Sequence, residues 1–458
     1  MTVSPAAEPK PSLKYRFLVP AADQIRGNAA TYVYKSMIFE SPDYINEMNQ
    51  LNRDDTIEKW LDTPLDQMPR DEILQKVRWL SEKSQWQSLC EAARCDQCQW
   101  GDLLREEGAF VQLPQAQKMR TMAHGINLRA RLEIAQGQYS DAIETLRVGY
   151  ALTRSLGRGP TLVHCLIGMA IQNLINEQTR TLMAAENSPN LYWALTDLSA
   201  QPMTVRDAIS FETHIWEYTV HGLTDLEKRP LGADEATDLA IKVWDASAPL
   251  GPKGGKPQKN TKSPEEIATW AKEQLPQAQA YLLEQGYASE NLKAMAEPQV
   301  ALIYRWKQYL QLRDDFFKWA TLPEAEACTT LKDGQFNVEK KIKVGVGEPF
   351  SVAIPVIQPS MIADLRHQRH VNLLRAIEAL RLHAAEHGGW PEKLADVTAV
   401  PVPRDAFNGQ PFEYSVKNGV ATIATSDDVA WTTKSRAGAI RYELELRQMV
   451  AKEDKYKK

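Results

Sequence analysis

Long apolar runs are missing from this chain. The nearest approach to one, Leu162–Ile171, falls well short of the ~20 residues that a bilayer crossing needs, and His164 interrupts it. No transmembrane segment is therefore expected. Met1–Ser12 is rich in Ala, Pro and Lys and holds no apolar stretch of the kind a secretory signal carries. It reads as a flexible tail, either the start of a cytoplasmic protein or the remainder of an exported one in which Met1 replaces the signal. Cysteine is sparse and uneven: the five residues at 90, 95, 98, 165 and 328 make no disulfide framework in a chain of 458. A basic excess is also absent. With 54 Lys and Arg against 59 Asp and Glu the net charge is −5, which argues against nucleic acid as a partner. The composition is nonetheless that of a folded protein, since 43% of residues are apolar and 25% charged, and the length accommodates roughly two or three hydrophobic cores.

The motifs of common enzyme classes are missing too. No Gly-x-Ser-x-Gly nucleophile elbow occurs. Gly345-Val346-Gly347 lies among alternating apolar residues and opens no helix, so it is not a dinucleotide fingerprint. Gly254-Gly255-Lys256 runs into Pro257 and lacks the spacing and the Ser/Thr of a phosphate loop. Lys253, Lys256, Lys259 and Lys262 form a basic cluster without interleaved aromatics, which is the pattern of a solvated linker. No cofactor is expected.

What is present is helical patterning. The sequence predicts a mainly α protein: a helical-hairpin bundle followed by a small α+β module with antiparallel strands. The expected organisation is a tail over 1–12, a helical-hairpin domain over 13–248, a Gly/Pro/Lys-rich loop over 249–263 and further helices over 264–330. The α+β module then spans 331–447 and a charged tail 448–458. Ser263-Pro264-Glu265-Glu266 has the spacing of a capping box. Met119, Met122, Ala123, Ile126, Ala130 and Ile134 form one stripe, followed by Gly137-Gln138-Tyr139-Ser140-Asp141-Ala142-Ile143, then Leu146 and Tyr150. This Gly-x-Tyr-x-x-Ala-Ile string resembles the turn and second helix of a tetratricopeptide repeat, with Ala142 small enough for close helix approach; it covers about one repeat. Alternation from Lys332 to Pro359, through Phe336, Val338, Ile342, Val344, Val346, Phe350, Val352, Ile354 and Val356, predicts strands. A long helix is expected over 360–387, ended by Gly388-Gly389. A hairpin should turn at Asn418-Gly419, and a last helix is expected near 437–451.

Two groups of residues invite chemistry. His383 and His387 stand at i, i+4, a spacing that can ligate zinc, with Glu386 beside them. They also fall in the last turn of the long helix, where cations favour the helix dipole. His367 and His370 share that helix, but a rise of ~1.5 Å per residue sets residues 370 and 383 about 20 Å apart, so the four cannot serve one metal. Cys95-x-x-Cys98, with Cys90 near it, suggests a disulfide or a thiol cluster, and the pairing stays open. A helix precedes this CxxC, whereas thioredoxin chemistry needs it after a strand at a helix start. A structural zinc would want a second pair.

Leu13-Lys14-Tyr15-Arg16, Gly27-Asn28-Ala29-Ala30, Cys98-Gln99-Trp100-Gly101 and the helical pairs of 114–185 resemble uncharacterised, mostly helical exported proteins of planctomycete type. His387-Gly388-Gly389-Trp390-Pro391-Glu392-Lys393-Leu394 and Pro403-Arg404-Asp405-Ala406-Phe407-Asn408-Gly409-Gln410-Pro411-Phe412-Glu413-Tyr414 are similar to the globular domain of major pseudopilins of type II secretion. The first resemblance implies export, hence a periplasmic or extracellular location, with the cytoplasm as the alternative. The second implies an α+β module without the apolar helix that polymerises pilins. Asp427-Asp428 falls near where pseudopilins hold calcium, yet the flanking glycines of that loop are missing. The expected function is a non-enzymatic helical scaffold or protein-interaction subunit of an extracytoplasmic assembly, with a protein partner or a second copy of the chain. Twelve Trp and fifteen Tyr provide side chains suited to an interface. The alternatives are a metal-dependent hydrolase using His383 and His387, and an accessory component of a secretion or pilus-like apparatus.

Overall fold

The computed structural model describes residues 1–37, 42–77, 83–101, 104–111, 113–247, 262–322, 340–341, 345–351, 357–426 and 439–447. Along the chain come β1 (Thr2–Val3), β2 (Ile25–Asn28), α1 (Ala29–Met37), α2 (Pro42–Arg53), α3 (Thr56–Asp62), α4 (Arg70–Lys76) and α5 (Lys83–Arg94). Next are β3 (Cys95–Gln97), α6 (Leu104–Glu107), α7 (Pro114–Ala135), α8 (Tyr139–Gly157), α9 (Leu162–Ala184) and α10 (Tyr192–Ala200). Then follow α11 (Arg206–Glu212), α12 (Ile215–Thr219), α13 (Ala233–Ala246), α14 (Pro264–Glu284), α15 (Ser289–Ala294) and α16 (Glu297–Phe317). The helix α17 (Ile357–His387) and the strands β4 (Glu413–Lys417), β5 (Val420–Ala424) and β6 (Arg441–Leu446) complete the order. The protein is mainly α with a small sheet, as its composition and periodicity imply.

The chain forms two compact units, one built from 1–100, 113–205 and 362–458, the other from 101–112 and 206–361. The first is discontinuous: residues 362–447 of the expected α+β stretch group with the helical hairpins, and residues before 362 group with the second unit. Its core is shared by α7, α8, α9, α10 and α17. Every member of the stripe Met119–Ile134 is buried, and so are Ala142, Ile143, Leu146 and Tyr150. Thus α7 and α8 form the expected hairpin, turning at Gly137 with φ +69°. A close helix approach lies further on, between α8 and α9, where a Cβ at Gly168 would stand 2.7 Å from the Gly157 Cα.

The opening segment departs from the expected flexible tail. Thr2 and Val3 pair parallel with β6, and Val3 is fully buried. The Ala6 amide donates to the Arg381 carbonyl at 3.1 Å. A short segment with one apolar side chain is enough when it completes a sheet edge over a preformed core. The sheet order is β1-β6-β5-β4, antiparallel apart from β1. Asn418 and Gly419 turn the β4–β5 hairpin at φ +51° and +78°, where glycine is favoured and asparagine tolerated. The last helix expected near 437–451 is instead a strand over Arg441–Leu446, whose Tyr442 and Leu444 alternate with charged residues. Residues 448–458 lie outside the described residues.

A single inward stripe understates α17. From Val371 to Ala384 almost every side chain is covered, including Glu378 and Arg381 at 0% exposure. The Arg381 guanidinium donates to Glu378 Oε1 at 2.7 Å, to the Ser4 carbonyl at 2.9 Å and to the Ser188 carbonyl and hydroxyl at 2.9 Å. One buried cation thereby joins the N-terminal, middle and C-terminal stretches of this unit. Its helix ends at Gly388 with φ +78°, as the Gly-Gly pair implies.

In the second unit α13, α14 and α16 pack together. Ser263 and Glu266 cap α14 reciprocally, at 3.3 and 2.7 Å. Trp216, Trp306 and Tyr309 surround Phe350, and the Trp216 indole donates to the Phe350 carbonyl at 3.0 Å. Of the strands expected between 332 and 359, most positions lie outside the described residues. Val346 sits instead in a turn, and Phe350 in a short 3-10 segment. The loop residues 248–261 and the acidic pair Asp427-Asp428 also lie outside.

Candidate functional site

The helix α5 stops at Arg94 and the chain becomes extended. This lets Cys95–Gln97 pair, parallel, with β2 at Ile25↔Cys95 and Asn28↔Gln97. Two segments quoted for the first resemblance thereby become neighbours. Asn28 is the hinge of the arrangement. Its Oδ1 accepts from the Ala30 amide at 3.2 Å and from the Gln99 amide at 2.8 Å, while its Nδ2 donates to the Gln99 carbonyl at 2.8 Å. It therefore caps α1 and holds the segment after β3 with one side chain. The Gly27 amide donates to Asp96 Oδ1 at 3.0 Å. A Cβ on Gly27 would stand 3.4 Å from Cys95 Sγ, so the thiol packs close against the strand.

Beside β3 opens a cleft of about 300 Å³. Cys95, Asp96 and Cys98 contribute from the strand side, and Arg154, Ser155 and Arg158 from the end of α8. Arg154 donates to the Gln201 carbonyl at 2.7 Å and to Gln201 Oε1 at 2.8 Å. Burial, then the neighbouring Arg158, lowers the Arg154 guanidinium to about 10. The Cys95 thiol is pushed up by burial and by Asp96 and Glu91, and donates to the Glu91 carbonyl at 3.4 Å. Cys90, on α5, is pushed up to about 11, chiefly by burial. Neutral thiols of this kind are poor nucleophiles and poor metal ligands.

Cys90 and Cys95 are free thiols. An extended stretch rises about 3.3 Å per residue, and Cα atoms more than about 7 Å apart cannot be bridged without moving the backbone. A bond between Cys95 and Cys98 therefore requires β3 to give up its extended course. Cys165 is fully buried as a small apolar side chain; Cys328 lies outside the described residues.

The histidines separate into different environments. His383 and His387 are brought together, their ring centroids 4.3 Å apart, with His387 Nε2 3.9 Å from Glu386. Burial, then His387, lowers the His383 imidazole. Among the described residues no third His, Cys, Asp or Glu joins this pair in a metal-holding group. His367 is buried, its Nδ1 3.3 Å from Asn173 Oδ1, and His370 lies 3.9 Å from Glu177. His164 is fully buried against Thr161, with Nδ1 2.8 Å from the hydroxyl.

In the sequence the CxxC was visible as a motif, but Arg154, Arg158 and Gln201 were not. Two arginines at the end of an amphipathic helix carry no local signal beyond the helix dipole. Their convergence on β3 depends on the packing of α5 against α8. No family model, curated protein or solved structure matches the chain.

Proposed function

We propose that this protein is a non-enzymatic helical scaffold, a protein-interaction subunit working outside the cytoplasm as its resemblance to exported proteins implies. The observation that carries this reading is how the ionisable side chains are used. Arg381 and Glu378 are sealed from solvent and spent on joining distant stretches of chain. Arg369 and Asp405, 3% and 2% exposed, fasten α17 to the loop that leads into β4. In the cleft the Cys95 thiol is held neutral, the reverse of what a nucleophile needs. Light scattering on the purified 51.7 kDa chain, with cross-linking in the envelope fraction of its source cells, tests the reading. A defined oligomer or a stoichiometric protein complex is expected. A strict monomer at every concentration, with no stoichiometric partner, would overturn it.

The approach of the His383 and His387 rings to 4.3 Å between centroids favours a second reading, a metal-dependent hydrolase. Elemental analysis separates the two. A scaffold should carry less than one zinc per chain after dialysis, whereas stoichiometric zinc lost on His383→Ala would favour the enzyme.

A further inference from the structure

Arg16, Arg369 and Arg381 each meet a carboxylate, from Asp197, Asp405 and Glu378. The cleft beside β3 is different. Arg154 is bonded to a neutral partner, Gln201, and among the described residues no carboxylate pairs with Arg154 or Arg158. The Gln201 carbonyl terminates α10, so Arg154 has a share in closing that helix. Nothing similar employs Arg158, which is exposed at the rim. The anion in the lining is Asp96, and one of its oxygens already accepts from the Gly27 amide. Two guanidinium groups against one carboxylate leave a surplus of one positive charge facing an open volume of about 300 Å³. That volume equals the share of about ten waters, at about 30 Å³ each, and falls at the lower end of small-molecule sites.

We propose that this cleft binds a small organic monocarboxylate, with Arg154 and Arg158 receiving the carboxylate and the amide side chains of Gln24, Gln97 and Gln99 receiving its polar body. A guanidinium is planar and presents its donors as a fork, matching a planar carboxylate. One negative charge balances the surplus, whereas a dianion such as phosphate overshoots it. The lowered proton affinity of Arg154 agrees with a cation that is desolvated beside a like charge and lacks its counter-ion. The site is independent of the scaffold reading and survives its failure.

The test is calorimetric titration of the full chain, at constant ionic strength, with three probes: N-acetylglycine, its neutral analogue N-acetylglycinamide, and inorganic phosphate. N-acetylglycine is expected to bind at millimolar concentration or below and the neutral analogue at least about tenfold more weakly. Arg158→Gln, at an exposed position, should weaken N-acetylglycine about tenfold while leaving the melting temperature unchanged. Arg154→Lys keeps the charge but loses the fork that also holds Gln201, and in protein whose melting temperature is unchanged it should weaken binding too. Four outcomes would overturn the proposal: no binding of N-acetylglycine, equal binding of the neutral analogue, tighter binding of phosphate, or binding indifferent to Arg158→Gln in folded protein.

Discussion

At the scale of single residues, several side chains sit where an isolated helix would never place them. His367 is the clearest. Burial, then the neighbouring His370, lowers its imidazole to about 4, against an ordinary value of 6.5. Between those values the unfolded chain holds a proton that the folded chain refuses, so stability rises with pH across this window and is lost as pH falls from about 6.5 to 4. The size is of order 3 kcal/mol, at ~1.4 kcal/mol per unit. His370 is lowered too, by burial opposed by Glu177, and adds to the same slope. Urea midpoints measured at steps from pH 7 to pH 4 should fall for the natural chain, and His367→Asn should flatten much of that fall. An unchanged slope in the variant would place the sensitivity elsewhere. Gly168 makes a second point. Its missing Cβ lets α9 approach Gly157 of α8, and a methyl there would meet backbone, which cannot swing aside. Gly168→Ala should cost roughly 1–3 kcal/mol in chemical denaturation, as overpacking does. A surface glycine with open space around its Cβ and an ordinary φ, such as Gly232, has no close neighbour to displace.

At the scale of elements, legibility followed the range of the interactions involved. The capping box of α14, the α7–α8 hairpin and the Asn418-Gly419 turn depend on neighbours a few residues away, and each lies where its pattern puts it. The strand β6 shows the opposite case. Arg441–Leu446 is rich in Glu, Leu and Arg, residues that favour helices, yet its alternation fits a slot between β1 and β5 that only the folded chain supplies. The Pro-x-Asp string at Pro403-Arg404-Asp405 was legible as a resemblance, while the work of Asp405 was not. Its carboxylate takes the Arg369 guanidinium at 2.6–3.0 Å and accepts from the Phe407 amide at 3.0 Å. Removing it takes the carboxylate from a cation that is 3% exposed. Asp405→Ala should therefore destabilise by roughly 3–5 kcal/mol in urea, as broken buried pairs do. The double replacement Arg369→Met, Asp405→Leu should recover much of that loss, since no buried charge is then left alone. A small effect of Asp405→Ala would mean that water reaches the pair. The candidate cleft was half legible in the same sense: its CxxC is a local motif, and its arginines come from the far end of α8.

At the scale of the whole chain, sequence order and structural membership part company. Local signals cut the chain into consecutive blocks, because periodicity and turn residues carry no information about which distant block supplies a missing face. The first unit instead gathers three separated stretches, and α17 is its interior. Leu373, Leu374, Ile377 and Leu380 are each fully buried in the core shared with α7–α10. Burying one such side chain contributes ~1.5–3 kcal/mol, so four approach the whole ~5–15 kcal/mol by which a domain is stable. The sealed Arg381–Glu378 pair adds bonds to Ser4, Ser188 and, through the Glu378 carbonyl, Asn190, and each of these bonds is lost if α17 is absent. Residues 1–205 expressed alone should consequently lack fixed tertiary structure, with weak near-ultraviolet circular dichroism and no cooperative melting transition. Supplying residues 362–447 as a second chain should restore both signals, since the contacts required are between segments and need no covalent continuity. A 1–205 fragment that melts cooperatively near the temperature of the intact chain would show that α17 is an accessory to this core and not its centre.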